Sequence, residues 1–177
     1  MFLDLLRKRR STRQFTSQPV EVEKINILLE AALRAPSSKT NTPWEFIVIE
    51  DPEVIAQLST AKPHGASFLK NAPLAIAVCG NTEKSDVWIE DCAIAALLVQ
   101  LQAADIGLGS CWIQLRLRPH DVQINAQDFA AGVLGLPAGI QVLAIIAIGY
   151  PAEEKKGRSF DSLHFSQVHR ERFGQTY

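Results

Sequence analysis

Three arginines and the hydroxyl group of Ser11 are concentrated near the N-terminus, in the five residues from Arg9 to Arg13. If this segment is extended, its side chains alternate, and Arg9, Ser11 and Arg13 point to one side. Arg10 then points to the other side. Two guanidinium groups and a hydroxyl can hold a phosphate, because arginine offers fork-shaped, charge-assisted donors to phosphate oxygens. A solvated basic turn or a weak nucleic-acid contact is the alternative that the segment alone leaves open.

Length and composition indicate one globular domain spanning residues 1–177. The chain is 47% hydrophobic and 21% charged, which provides enough apolar material for one buried core. Its formal net charge is −1, so we expect no nucleic-acid partner, because nonspecific nucleic-acid binding needs a broadly basic surface. The arginine segment is therefore a local feature of a nearly neutral protein.

The cysteines and the apolar tracts indicate the compartment. Cys79, Cys92 and Cys111 are odd in number and are never spaced C-x-x-C, so no disulfide framework or zinc site is predicted. We expect a cytoplasmic protein, because a reducing compartment suits such cysteines. The N-terminal charges follow a short apolar run, the reverse of a signal peptide. The most apolar tracts, 93–101 and 142–148, are too short to span a membrane, so no membrane partner is expected.

The sequence does not match the catalytic or cofactor-binding motifs of several other enzyme classes. The sequence from Gly107 to Ser110 lacks the third glycine of a dinucleotide fingerprint, and neither a Walker loop nor a G-x-S-x-G elbow occurs. The four histidines are not paired at metal-ligand spacing, so no metal site is predicted. Cys111 lies in an apolar strand without an obvious base and is expected to be structural. Glu90 and Asp91 lie in the first turn of a predicted helix, where capping electrostatics explains them better than acid–base catalysis.

Hydrophobic periodicity predicts the elements that position the arginine segment. We expect helices at 2–8, 22–35, 52–60, 119–131 and from Ser85 or Asp86 to about 105, and strands at 44–50, 74–79, 108–115 and 140–149. The helix ending near residue 105 is apolar on nearly all sides, which suits either a core helix or a self-association face. Strands alternate with helices and hairpin signals are absent, which suggests an α/β layered domain around one sheet.

Seven short motifs occur in a fixed order along the chain. They are the arginine segment with Phe15, Ala35–Ser38, Pro43–Trp44, Ala72–Pro73, Gly107–Ile113, Gly135–Pro137 and Ile148–Pro151. Their order and spacing resemble the nitroreductase family of FMN-dependent oxidoreductases over almost the whole chain. The resemblance implies an α+β fold, with a central, mostly antiparallel sheet flanked by helices. It also implies an intertwined homodimer with two FMN molecules at the interface. The aromatic residues of the C-terminal segment, 158–177, follow no clean period, so we expect an arm that packs on the partner subunit.

The resemblance implies phosphate-binding roles for two basic segments. Arg9 and Arg13 would reach the FMN phosphate and the ribityl chain. Arg10 and Ser11 would contact the phosphate or the edge of the isoalloxazine ring. The residues that match the late basic pair closing on the phosphate are Lys156 and Arg158. Without the resemblance, that late pair would be a solvated run of terminal charges.

The resemblance also implies ring contacts from two subunits. The hydroxyl-rich loop after Pro36 would contribute three residues from the partner, namely Ser37, Ser38 and Thr40. One strand would line a face of the ring near its reactive nitrogen with Trp112, Ile113, Gln114 and Leu115. The family commonly has Asn at the position of Thr40, Gln at that of Thr42 and Gly after Gln114. These departures affect the contact to the ring and the space above it.

An oxidoreductase activity follows from the same resemblance. NADH or NADPH would reduce FMN, and a small acceptor such as a nitroaromatic or a quinone would then take the electrons in a ping-pong cycle. No catalytic side chain is expected, because the hydride chemistry belongs to the flavin. Two alternatives stay open: a flavin-binding or flavin-remodelling relative with little turnover, and an unrelated binding module without flavin. No separate fingerprint distinguishes NADH from NADPH as the donor.

Overall fold

The structure, a computed structural model, describes residues 1–176, and Tyr177 at the end of the expected arm lies outside the described residues. Helices and strands alternate along the chain in this order: α1 Phe2–Lys8, α2 Val22–Leu33, β1 Trp44–Ile49, α3 Pro52–Leu58, β2 Leu74–Asn81, α4 Trp88–Asp105, β3 Gly109–Gln114, α5 Ala126–Leu134 and β4 Ile140–Gly149. Short 3₁₀ turns lie at Ser38–Thr40, Ser67–Asn71, Phe160–Ser162 and Phe165–Gln167.

The four strands form one sheet in the order β1-β2-β4-β3, and every neighbouring pair is antiparallel. The α+β fold with a mostly antiparallel sheet is thereby confirmed. The alternation of helices and strands alone did not predict this direction, since a helical connection can return the chain in either orientation. The central strands β2 and β4 are buried over most of their length, which explains their nearly continuous apolar sequences.

The sheet separates two hydrophobic cores, because successive side chains of a strand point to opposite faces. On one face, Ile146 of β4 packs in a cluster with residues of α2 and α4, including Leu28 and Val99. On the other face, Ile145 packs in a cluster with residues of α3 and α5, including Leu58. The register of β4 therefore decides which residues lie on each face.

Helix α4 combines the two roles that its sequence left open. Cys92, Ala96 and Val99 have no exposed surface and belong to the core shared with α2. Ile94 and Leu97 are 40% and 48% exposed in this chain. The alanines allow close packing on the inner side, while the outer side presents apolar side chains. No helix of residues 1–176 combines the length and the apolar character that crossing a membrane requires.

The predicted bounds of two helices were wrong. Helix α5 begins at Ala126 instead of Pro119, because Asn125 caps it by accepting a hydrogen bond from the Asp128 backbone. It continues through Gly132 and ends at Leu134, and its C-cap residue Gly135 has a left-handed φ of 65°. Helix α4 begins at Trp88, and its N-cap residue makes no side-chain capping hydrogen bond. Neither Ser85 nor Asp86 caps it.

Candidate functional site

The arginine segment lies against the start of β3. Ser11 forms an isolated parallel bridge with Ser110, and the Thr12 amide donates a hydrogen bond of 2.9 Å to the Ser110 carbonyl oxygen. Gly109 permits this approach, because a Cβ there would lie 2.7 Å from the Thr12 side chain. The short pairing holds the basic segment on the outer edge of the sheet.

A cavity of about 770 Å³ opens beside this segment. Its polar wall consists of Arg7, Arg9, Arg10, Ser11, Arg13, Lys155 and Arg158. Arg10 was predicted to point away from the other three residues of its segment, but it borders the same cavity. Strict alternation fails because Arg9 is still the C-cap residue of α1 and only Ser11 pairs as a strand would. Six cations and no carboxylate are among the lining residues that the structure describes, so the cavity suits an anion.

The late basic segment reaches the cavity through backbone packing. Arg10 donates a hydrogen bond to the Lys156 carbonyl oxygen. A Cβ on Gly157 would collide with the Arg7 carbonyl oxygen, so the chain passes directly against the end of α1. Arg158 and Lys155 border the cavity, whereas Lys156 borders a neighbouring cavity that Lys155 also lines. Lys155 also pairs with Glu153 at 2.7 Å.

Cys111 lies beneath the arginine segment with 1% of its surface exposed. Burial raises the pKa of its thiol, while the charge of Arg13 and a hydrogen bond with Ser11 oppose that rise. The thiol is therefore protonated near neutral pH, in agreement with a structural role. Lys62 is a partly buried cation, and burial, followed by the charge of Arg118, lowers the pKa of its ammonium group.

The four predicted residues of β3 and its end divide into two pairs. Trp112 and Gln114 are partly exposed, and the Trp112 indole donates to the Gln114 side-chain oxygen at 2.8 Å. The Gln114 amide in turn donates to the Arg116 carbonyl oxygen at 2.9 Å. Ile113 and Leu115 have no exposed surface and pack in the core with α3 and α5. The structure therefore does not bring these two side chains to a surface with Trp112 and Gln114.

The hydroxyl-rich loop of Ser37, Ser38 and Thr40 lies at the start of α4. The Ser37 hydroxyl accepts a hydrogen bond from the Thr42 amide at 3.0 Å. The Ser38 amide donates to Asp91 at 2.9 Å. Neither this loop nor β3 is among the described residues lining the cavity. One chain thus presents three separate groups of the predicted residues.

The potential metal-ligating side chains of the described residues are not clustered. Within residues 1–176, no group of three or more histidine, cysteine, aspartate or glutamate side chains is placed to hold a metal ion. His120 instead stacks on Phe129, with ring centroids 4.0 Å apart.

Comparison with known proteins gives several matches over most of the chain. The sequence model of the nitroreductase family matches residues 6–62 and 60–150. The structure of an FMN-dependent nitroreductase from Clostridium difficile is 48% identical with a TM-score of 0.95, and the match covers 97% of this chain and 99% of that one.

Two curated relatives carry different names. A protein of Archaeoglobus fulgidus, provisionally named an NADH dehydrogenase/NAD(P)H nitroreductase, is 34% identical over 97% of this chain and 98% of its own length. An iodotyrosine deiodinase of Thermotoga neapolitana is 24% identical over 88% of this chain and 91% of its own. The acceptors implied by the two names differ.

Proposed function

Because the chain belongs to the nitroreductase family, we propose that it is an FMN-dependent oxidoreductase that uses NADH or NADPH to reduce a small organic acceptor. The observation that carries this proposal is the gathering of Arg9, Arg13 and Arg158 around one cavity together with the Ser11 hydroxyl. These donors come from both ends of the chain, so their meeting is a property of the fold.

The cavity fits the phosphate end of FMN. Guanidinium groups are preorganised for phosphate oxygens, and each hydrogen bond to a charged group contributes roughly 1.5–3 kcal/mol. Three such cations therefore contribute several kcal/mol before the cost of ordering the ligand. The cavity volume of about 770 Å³ also lies within the range typical of small-molecule sites.

The residues of this chain bind and orient the cofactor in this proposal. When bound, FMN supplies the hydride transfer. Arg9, Arg13 and Arg158 neutralise its phosphate, while the contact of Arg10 with Lys156 holds the two basic segments together. The hydrogen-bonded pair of Trp112 and Gln114 offers a polar surface for the ring. No side chain is assigned a proton transfer.

A second copy of the chain completes the site in this proposal. The hydroxyl-rich loop and the Trp112–Gln114 pair are separate from the cavity within one chain. A partner subunit can therefore supply the loop to the site. Exposed apolar side chains on α1 and α4 support a homodimer, since Phe2 is 65% and Leu97 48% exposed. The arm from residue 158 also exposes aromatic residues, such as Phe160 at 70%, which supports packing on the partner.

The acceptor and the compartment belong to the same proposal. Nitroaromatics and quinones are the first acceptors to test, because relatives are named as nitroreductases. An iodinated aromatic is the next, because another relative is named an iodotyrosine deiodinase. A cytoplasmic location is supported by the three cysteines, all of which are free thiols.

Two measurements test the proposal. The purified protein should show the visible absorbance of a flavin, and a protein that binds no FMN would exclude it. The FMN-loaded protein should oxidise NADH or NADPH with a quinone or nitro acceptor, and varying both substrates should give the parallel double-reciprocal lines of a ping-pong cycle. Bound FMN without turnover would favour the alternative, a flavin-binding or flavin-remodelling relative.

A further inference from the structure

Asp91, in the first turn of α4, is a buried carboxylate that connects this helix to the hydroxyl-rich loop. Asp91 is only 3% exposed. One carboxylate oxygen accepts a hydrogen bond of 2.9 Å from the Ser38 amide. The other accepts one of 3.3 Å from the Ser85 hydroxyl. Among residues 1–176, no lysine, arginine or histidine forms an ion pair with it.

Helix capping does not explain why this particular carboxylate is buried. Burying a charge is unfavourable unless hydrogen bonds or an opposite charge compensate for the loss of water. Glu90, the preceding residue, is exposed in the same turn and offers the helix the same negative charge without that cost. What Asp91 provides and Glu90 does not is the bond to the backbone of the loop.

The loop that Asp91 holds has an unusual backbone. Lys39, Thr40 and Thr42 have φ values of 50°, 56° and 43°, although none of them is glycine. Left-handed conformations are unfavourable for such residues and persist only where surrounding contacts impose them. Besides backbone hydrogen bonds within the loop, side-chain oxygens hold it at both ends: Asp91 accepts from the Ser38 amide, and the Ser37 hydroxyl accepts from the Thr42 amide.

We propose that Asp91 is a positioning residue that holds the Ser37–Thr42 loop in the strained conformation in which it meets the flavin ring of the partner subunit. The inference rests on the proposed function for the role of the loop. Asp91 does not touch the cofactor and acts through the Ser38 amide. Because the phosphate cavity lies elsewhere in the chain, loss of Asp91 should disturb the ring environment without releasing FMN.

Three variants of the full-length protein test this inference. Asp91→Ala removes both acceptors. Asp91→Asn keeps one side-chain oxygen for the Ser38 amide and should restore the loop. Glu90→Gln is the matched control, because it removes a negative charge from the same helical turn without touching the loop.

The first readout is amide hydrogen exchange across residues 37–42 in the protein without FMN. Asp91→Ala should exchange there at least tenfold faster than the parent, while Asp91→Asn and Glu90→Gln stay within about threefold. This result does not depend on cofactor or turnover, so it separates failure of the inference from failure of the proposed function. Unchanged exchange in Asp91→Ala would overturn the inference, even if FMN binding and turnover are found.

The second readout uses the FMN-loaded protein. Asp91→Ala should keep its FMN content, shift the visible flavin spectrum and lose roughly tenfold in kcat/KM. Asp91→Asn should recover most of the parent spectrum and most of the parent kcat/KM. Parent-like spectrum and kinetics in Asp91→Ala would contradict a positioning role, as would an Asp91→Asn variant as defective as Asp91→Ala.

If Asp91→Ala does not fold, Asp91→Glu replaces it in both measurements. Glutamate keeps the charge in the first turn but moves the carboxylate by one methylene group. It should therefore accelerate exchange of the loop and shift the flavin spectrum. A folded Asp91→Glu variant with parent-like exchange would overturn the inference.

Discussion

Arg10 donates a hydrogen bond to the backbone carbonyl oxygen of Lys156, although 146 positions separate the two residues in the sequence. This contact joins the first basic segment to the last one. Gly157 lies directly against the Arg7 carbonyl oxygen, so the crossing is fixed by backbone packing as well. As a consequence, Arg9 and Arg158 border the same cavity.

Replacing Arg9 and Arg158 together by alanine should yield a protein that loses its flavin. Two charge-assisted contacts of roughly 1.5–3 kcal/mol each correspond to at least a hundredfold weaker FMN binding. Visible absorbance of the purified variant and titration of the apoprotein with FMN measure this effect. The double variant Arg34→Ala, Lys84→Ala is the control, because it removes two cations outside the cavity lining. A yellow Arg9/Arg158 variant with unchanged flavin content would refute the assignment.

Gly157→Ala should weaken FMN binding through packing alone, without changing any charge. The new methyl group would collide with the Arg7 carbonyl oxygen and push the late basic segment away from α1. We expect a loss of about 1–3 kcal/mol in unfolding free energy and weaker flavin retention. Gly132→Ala is the matched control: it lies within α5 with open space around it, so it should stabilise the protein by about 0.5–1 kcal/mol. Equal FMN affinity in both variants would contradict the packing argument.

Leu97→Glu should convert the proposed homodimer into monomers. The side chain is 48% exposed on α4, next to the exposed Ile94, so a carboxylate there would be buried without a partner at a dimer interface. Light scattering coupled to size-exclusion chromatography reports the mass. Val122→Glu, at a fully exposed position, should leave the mass unchanged. A dimer that survives Leu97→Glu would place the interface on another surface.

Alkaline pH should destabilise the protein through two buried thiols. Burial raises the pKa of both Cys79 and Cys92 to about 12, with smaller contributions from nearby acidic groups. Above pH 9 the unfolded chain releases these protons while the folded protein retains them, so stability is complete below pH 9 and falls as the pH rises. The loss should be about 1 kcal/mol per thiol between pH 9 and pH 10.

Denaturant unfolding at pH 8, 9 and 10 measures this loss. A variant with alanine at Cys79 and Cys92 isolates the contribution of the thiols from that of other groups titrating in the same range, because it should show a flatter dependence on pH. Parallel pH profiles for the parent and the variant would exclude the thiols as the cause.

Much of the local structure could be predicted from the sequence. The apolar period of α2 and the β-branched run of β1 each indicate one element, because the residues that decide it are neighbours in the chain. The start of α5 was missed because Pro119 is itself a favourable first residue, and only the bond from Asp128 to Asn125 shows where the helix begins. Boundaries of this kind depend on one capping contact.

Part of the site could be predicted in the same way. Arg9 and Arg158 belong to basic segments that are visible in the sequence, and both border the cavity. Lys155, and not Lys156, borders this cavity, and the Ile113 side chain lies on the buried face of β3. These placements depend on how the late segment crosses α1 and on strand register. Asp91 looked like an ordinary capping residue because its partner, Ser38, lies 53 positions away.

The sequence by itself determined the elements, the nearly neutral surface and the presence of two basic segments. The tertiary structure decided the antiparallel direction of the strands, the meeting of the two segments at one cavity and the connection of Asp91 to the loop. The physical reason is that propensity and periodicity act between residues close in the chain. Contacts such as that of Arg10 with Lys156 exist only after the sheet has brought the two ends of the chain together.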